Sequence, residues 1–263
     1  MMRPRLAPGL ALAAGLAASL AASAETAKEA AALIDSARRE DQERAAAIFE
    51  ALAAKEPNNF DVRLGAAVAL TQVMAIRTHG NLPLVDGLQD TDENRALWAD
   101  LGQRALEHAR AAEKLSPQSA PAAAALASSY MFYASSLGII RSILQGAGGE
   151  YKAHAQRLAQ LDPKFDDGLG ASLLANFYLV APWPVHDRNA ALEQFELAAK
   201  IAPESVRNQY GLAVFWARDG DAARARTHFE RVVAQPCSAH TERLMCDFMK
   251  STARRELARL PAK

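Results

Sequence analysis

The side chains that could exchange protons, bind metals or attack carbon are sparse in this sequence, and they are scattered. The six histidines, His79, His108, His154, His186, His228 and His240, fall in separate segments without a ligand-forming spacing. His186 and Asp187 stand side by side in "APWPVHDRNAALEQFELAAKIAP" (Ala181 to Pro203), next to a proline-bracketed Trp183. Adjacent residues do not face each other on a helix and no nucleophile is near, so the pair lacks the geometry of a catalytic dyad. His108, His154 and His228 lie in helical stretches and read as polar surface. The run "GAGGE" (Gly146 to Glu150) could cradle an anion on backbone N–H groups, or serve as a flexible connection. No zincin helix, nucleophile elbow, Walker loop, dinucleotide fingerprint or Cys-x-x-Cys pair appears. The expectation is a chain without catalytic residues, metal ligands or cofactors, working by non-covalent recognition.

Two cysteines, Cys237 and Cys246, lie near the carboxyl end. Whether they pair depends on the compartment, and the amino terminus speaks to that. Arg3 and Arg5 form a basic start, Leu6 to Leu20 an apolar stretch of roughly 15 residues, and Ala22-Ser23-Ala24 a small-residue cleavage site, the pattern of a secretory signal peptide. The apolar part is too short for a comfortable membrane span, although a retained anchor is the competing reading. No Cys stands near the cleavage point to carry a lipid. The domain plan is then a signal peptide over 1–24 and a mature domain over 25–263, exported to a bacterial periplasm. There Cys237 and Cys246 either form a disulfide that pins the last helix or remain two buried thiols. The 30 basic and 30 acidic residues cancel, so no net field draws nucleic acid or an anionic surface.

What remains is architecture. Apolar residues recur at helical spacing along the chain after 24, with Ala and Leu dominant and no alternating β-branched stretch, which predicts an all-α fold. "AAAIFEALAAKEP", "RALEHARAAEKLSP", "YKAHAQRLAQLDP", "ALEQFELAAKIAP" and "ARTHFERVVAQP" each read as a helix halted at a proline: Pro57, Pro117, Pro163, Pro203 and Pro236. In three of them an alanine precedes a phenylalanine by one turn, at Ala45/Phe49, Ala191/Phe195 and Ala225/Phe229, so both face one neighbour. Ala109 and Ala155 take the phenylalanine position in the other two. Between them lie helices carrying a large-small pair and a third residue three positions on: Leu64-Gly65 with Val68, Leu126-Ala127 with Tyr130, Leu174-Ala175 with Tyr178, and Leu212-Ala213 with Trp216. A capping helix from about Ala239 to Leu260 completes an array of about ten helices.

This large-small-aromatic, Ala, Phe, Pro set resembles the tetratricopeptide repeat, most closely over Val206 to Pro236, where Gly220-Asp221 makes the turn. Successive closing prolines lie 60, 46, 40 and 33 residues apart, so only the last unit nears the regular length of about 34. The first two units carry insertions, "THGNLPLVDGLQDTDEN" and "GIIRSILQGAGGE". The expected fold is a degenerate α-solenoid. Its concave face would be lined by the first helix of each pair, with Arg207, Tyr210, Val214 and Arg218 in the last unit, Asn176 and Leu179 before it, and Ser128, Met131 and Phe132 before that. Met131 and Phe132 read equally well as contacts to neighbouring helices.

A narrower likeness lies in "LDPKFDDGLGASLLANFYLVAPWP" followed by "AALEQFELAAKIAP" and "ERVVAQP". These stretches resemble the T-component of tripartite ATP-independent periplasmic (TRAP) transporter systems. The resemblance implies association with a periplasmic solute-binding protein and help in delivering a small hydrophobic organic ligand. Many members are lipoproteins, a tether this sequence lacks. The alternative is a periplasmic scaffold in envelope or pilus assembly, and self-association into a homo-oligomer stays open under both.

Overall fold

The structure is a computed structural model describing residues 26–36, 38–80, 91–237 and 240–261. The segment read as a signal peptide and most of the first insertion lie outside the described residues. Among those described there are twelve α-helices and no strand. Helix α1 covers 26–34. It is followed by α2 (Arg39–Lys55), α3 (Phe60–Arg77), α4 (Asp92–Leu115), α5 (Ala120–Ser136), α6 (Ile139–Leu144), α7 (Ala147–Leu161), α8 (Leu169–Val180), α9 (Arg188–Ile201), α10 (Val206–Asp219), α11 (Ala222–Ala234) and α12 (His240–Arg259). Two helices exceed the expectation: α1, and α6 within the second insertion. "GAGGE" is not a flexible connection either: Gly146 ends the turn and the rest begins α7, where burying Ala147 and Tyr151 draws the glycines into a helix.

Each closing proline sits two residues beyond its helix, after Lys55, Leu115, Leu161, Ile201 and Ala234. Proline disfavours the helical conformation in the residue before it, so the last turn cannot continue. At three of these turns a side chain then restarts the chain as a helix. Asn59 accepts from the N–H of Asp61 at 3.1 Å, Ser119 from that of Ala122 at 3.3 Å, and Ser205 from that of Asn208 at 3.4 Å. Proline to stop, one residue to turn and a polar cap to start make a hairpin array from local signals alone.

The core follows the small-large pattern. Ala45, Ala191 and Ala225 are fully buried, and Phe49, Phe195 and Phe229 nearly so. Phe49 and Phe195 point at glycines of the next hairpin: a Cβ on Gly65 would lie 2.4 Å from Phe49, and one on Gly211 2.4 Å from Phe195. Gly65 is therefore the counterpart of Gly211, which corrects the register read for α3. Ala66, Ala67 and Leu70, all buried, stand where Leu212, Ala213 and Trp216 stand in α10, while Leu64 and Val68 are only half-buried. Ala109 and Ala155 are buried at 0 %, so the helices that lack phenylalanine pack by closer approach. At Gly102 a Cβ would meet the Tyr133 backbone at 3.0 Å, and at Gly170 the Ala159 backbone at 2.8 Å.

The last helix does more than cap the end. From α11 it crosses to the start of the array, where Arg243 donates to the carbonyl of Asp35 at 3.0 Å. Met245, Met249 and Ala253 share one apolar cluster with Leu70 and Met74 of α3, Phe132 of α5, Leu179 of α8 and Val214 of α10. Helix α12 thus packs against α10 and α3, first helices of the last and the first pair. At its start Cys237 and Cys246 are joined, with Cα atoms 6.1 Å apart, a separation that suits a disulfide.

Candidate interaction surfaces

The residues expected to line an open groove divide into three groups. Tyr210 is 1 % exposed, with its ring edge-on to Phe229 of α11, and Val214 is 6 % exposed within the cluster that α12 completes. Both belong to the core, as do Phe132 and Leu179. The physical reason is the packing of α11 and α12 against α10, for which the sequence of α10 itself carries no signal.

Arg207 forms a second group, together with a part of the site that sequence reasoning missed. After Pro163 the polar cap of the other turns is replaced by a short 3-10 turn, Phe165–Asp167, in which Asp166 has φ 44° and Asp167 φ 57°, followed by Gly168 at φ 80°. A left-handed conformation costs a non-glycine residue roughly 1–2 kcal/mol, so something must hold the run. Arg207 does: its Nη1 lies 3.0 Å from Asp166 Oδ2 and its Nη2 donates to the Asp166 carbonyl. The two side chains are 11 % and 9 % exposed. Asn208 adds a second tie, donating to the carbonyls of Asp167 and Ala198 at 2.9 Å each while accepting from Ser172 at 2.8 Å. Arg207 and Asn208 lock the third hairpin to the fourth.

Ser128, Met131, Asn176 and Arg218 reach solvent, the first three half-buried and mid-helix, with Met131 also packed on the core, and the last exposed near the end of α10.

Polar groups elsewhere form joints between helices, within a hairpin and from one hairpin to the next. Glu50 of α2 receives both Nε and Nη2 of Arg104 from α4, the first at 2.9 Å, and His108 Nδ1 lies 2.9 Å from an Arg63 nitrogen. The hydroxyl of Tyr130 donates to Glu150 at 2.9 Å, with Arg110 and His154 beside the same carboxylate. His228 Nδ1 sits 2.8 Å from Gln209 Oε1, and Gln209 spends its own N–H on the carbonyl of Pro203, so Nδ1 carries the proton. His108, His154 and His228 are thus half-buried groups between helices and not the polar surface expected of them. Burial, the largest cause, lowers all three imidazole pKa values. Arg63 adds its charge at His108, and at His228 burial together with Arg231 brings the value to about 4. Burial first, and Glu150 second, raise the Tyr130 hydroxyl above the usual phenol range.

His186 and Asp187 lie exposed in the link between α8 and α9, which contains a cis Trp183-Pro184 bond. The Asp187 carboxylate caps α9, accepting from the N–H of Ala190 at 2.9 Å. Among the described residues no cluster of three or more His, Cys, Asp or Glu is placed to hold a metal ion, and no helix is long and apolar enough to cross a membrane.

A known structure shares this architecture. The chain is similar to TTC0263, a thermophilic TPR protein of Thermus thermophilus, with a TM-score of 0.57 and 12 % identity, over 82 % of this chain and 92 % of that one. Weaker likenesses are the human IFIT1 dimer with m7Gppp-AAAA (TM-score 0.43, 15 % identity, 88 % of this chain and 52 % of that one) and yeast Tom70 (TM-score 0.35, 16 % identity, 84 % and 60 %). No protein-family model and no curated protein matches the sequence. The fold is a tetratricopeptide-like α-helical repeat array.

Proposed function

We propose that this chain is a non-catalytic exported scaffold that recognises a partner protein. One observation carries the reading: many of the ionisable groups that helices half-bury are spent on joints between those helices. His108 meets Arg63, Glu150 meets Tyr130 and Arg110, His228 meets Gln209, and Asp166 meets Arg207. Groups held in this way position helices and are not presented to a substrate. Recognition then falls to the accessible edge of the first helices, with Ser128, Asn176 and Arg218, an exposed arginine being a common anchor at interfaces.

The finer reading is an accessory T-component that serves a TRAP-type solute-binding protein in the periplasm. It is supported by the likeness of Leu161 to Pro184, the same stretch that contains the left-handed turn, the apolar α8 and the proline link. The small organic ligand rests on that likeness alone. Affinity capture from a periplasmic extract with the wild-type chain, followed by mass spectrometry, should return a solute-binding protein. Capture of an envelope- or pilus-assembly complex instead would favour the alternative scaffold. Amino-terminal sequencing of the exported protein should begin at Glu25, and a chain that keeps residues 1–24 would contradict the export reading.

A further inference from the structure

Helix pairs that run up and down place all their internal links at one end of the array. The contacts agree: a Cβ on Gly148, in the first turn of α7, would lie 3.5 Å from Phe177 of α8, and Lys152 lies 5.0 Å above the Tyr178 ring. About one turn beyond these contacts both neighbouring links carry bare apolar side chains. Around α6 they are Ile140, Ile143 and Leu144, exposed at 74 %, 58 % and 82 %. In the α8–α9 link they are Val180, Trp183 and Val185, at 56 %, 88 % and 44 %. The opposite end is built from polar turns such as Pro57-Asn58-Asn59, Pro117-Gln118-Ser119 and Pro203-Glu204-Ser205. The two ends of the array therefore differ in kind.

We infer that this apolar end docks the protein onto the interfacial layer of a lipid bilayer. The side chains stand on separate projecting tips and are too exposed to line a groove, so a rigid partner would need a pocket for each, whereas fluid acyl chains close around any tip. Trp183, bracketed by prolines, is the residue type that settles at a membrane–water boundary. Charge fits as well. Arg141 is the only charged residue from 137 to 147, no acid lies from 180 to 186, and Asp187 turns to cap α9. Arg141 can meet lipid phosphate, and the acids near these tips, Asp92 and Asp219, are paired with Arg95 and Arg188. Because the chain carries 30 basic and 30 acidic residues, attachment is short-ranged and insensitive to salt. It is independent of the partner-binding reading.

The structure supplies its own probe. Of the three tryptophans, Trp98 is 0 % and Trp216 5 % exposed, so collisional quenching reads Trp183 alone. The full chain is mixed with phosphatidylcholine vesicles bearing brominated acyl chains, with and without phosphatidylglycerol, at low and high salt. The expected result is bromine quenching of Trp183 that persists at high salt and disappears in Trp183→Phe. In Ile143→Ser/Leu144→Ser, partitioning should fall about tenfold or more. Both chains keep the same amino-terminal segment, so its contribution cancels in the comparison. Absence of bromine quenching, or equal partitioning of the serine variant, would overturn the inference. So would shielding of Trp183 from acrylamide by periplasmic extract but not by vesicles, which would make the end a protein-docking face.

Discussion

Gly211→Ala tests how the hairpins stack. Alanine ordinarily improves a helix interior by about 1 kcal/mol over glycine. Here the added Cβ would lie 2.4 Å from Phe195 Cε1 and 2.6 Å from Cδ1. Carbon atoms rest about 3.5–4.0 Å apart, so the ring must retreat by about 1 Å. It has little room, being 2 % exposed and edge-on to Phe215 with centroids 6.3 Å apart. Overpacking of this kind costs roughly 1–3 kcal/mol, which outweighs the propensity gain and leaves a net loss of about 1–2 kcal/mol. Gly149 supplies the contrast: it lies in α7 with nothing within 4 Å of a built Cβ, so Gly149→Ala should stabilise by about 0.5 kcal/mol. Urea unfolding of both variants measures the two signs. Shortening the ring in Gly211→Ala/Phe195→Leu should recover part of the loss, giving a cycle that is non-additive by about 1 kcal/mol. A Gly211→Ala protein as stable as wild type would refute the stacking argument, and additive effects would show that Phe195 is not the obstacle.

Arg207→Ala should lower stability by about 3–5 kcal/mol in denaturant titration, because it strands a carboxylate that is 9 % exposed beside a left-handed turn. A loss below about 1 kcal/mol would return Arg207 to the surface. The lowered His228 pKa, about 4 against an ordinary 6.5, means that the unfolded chain binds more protons between those values. Stability is therefore full above about pH 6.5 and falls as the pH drops toward 4; His228→Asn should flatten that slope in thermal melts across pH, and an unchanged slope would contradict it. Reducing the Cys237–Cys246 bridge, which closes nine residues of chain, should cost about 2–3 kcal/mol and expose α12 amides to hydrogen exchange first. Thermal and exchange profiles that ignore the reductant would show that α12 is held by packing alone.

The helix boundaries were legible because their causes are local. A proline two residues past the second helix of a pair, and in three turns a polar cap two residues further on, can be read without knowing what lies nearby, as at Pro117 and Ser119. The register of α3 was not legible from the pair Leu64-Gly65, since only the position of Phe49 shows that the glycine serves the preceding hairpin. The groove failed for the same reason at longer range. Nothing near Tyr210 or Val214 announces that Met245 and Met249 complete their cluster, and nothing near Arg207 announces Asp166, 41 residues earlier. The spacing of Cys237 and Cys246 left a disulfide and two buried thiols both open, and the bridge is seen only where the fold brings their Cα atoms to 6.1 Å. The apolar end was half visible: Trp183 between its prolines stood out, whereas α6 is too short for periodicity to reveal.

Recognition through the accessible edge of the first helices is the central claim, and calorimetric titration with the captured partner tests it most directly. Asn176→Arg/Arg218→Glu alters a half-buried and an exposed position, and its thermal melt is compared with that of the wild type before titration. The account predicts saturable binding by the wild-type chain and affinity at least tenfold weaker in that variant, about 1.4 kcal/mol or more. Undiminished binding by a variant that folds normally would contradict it.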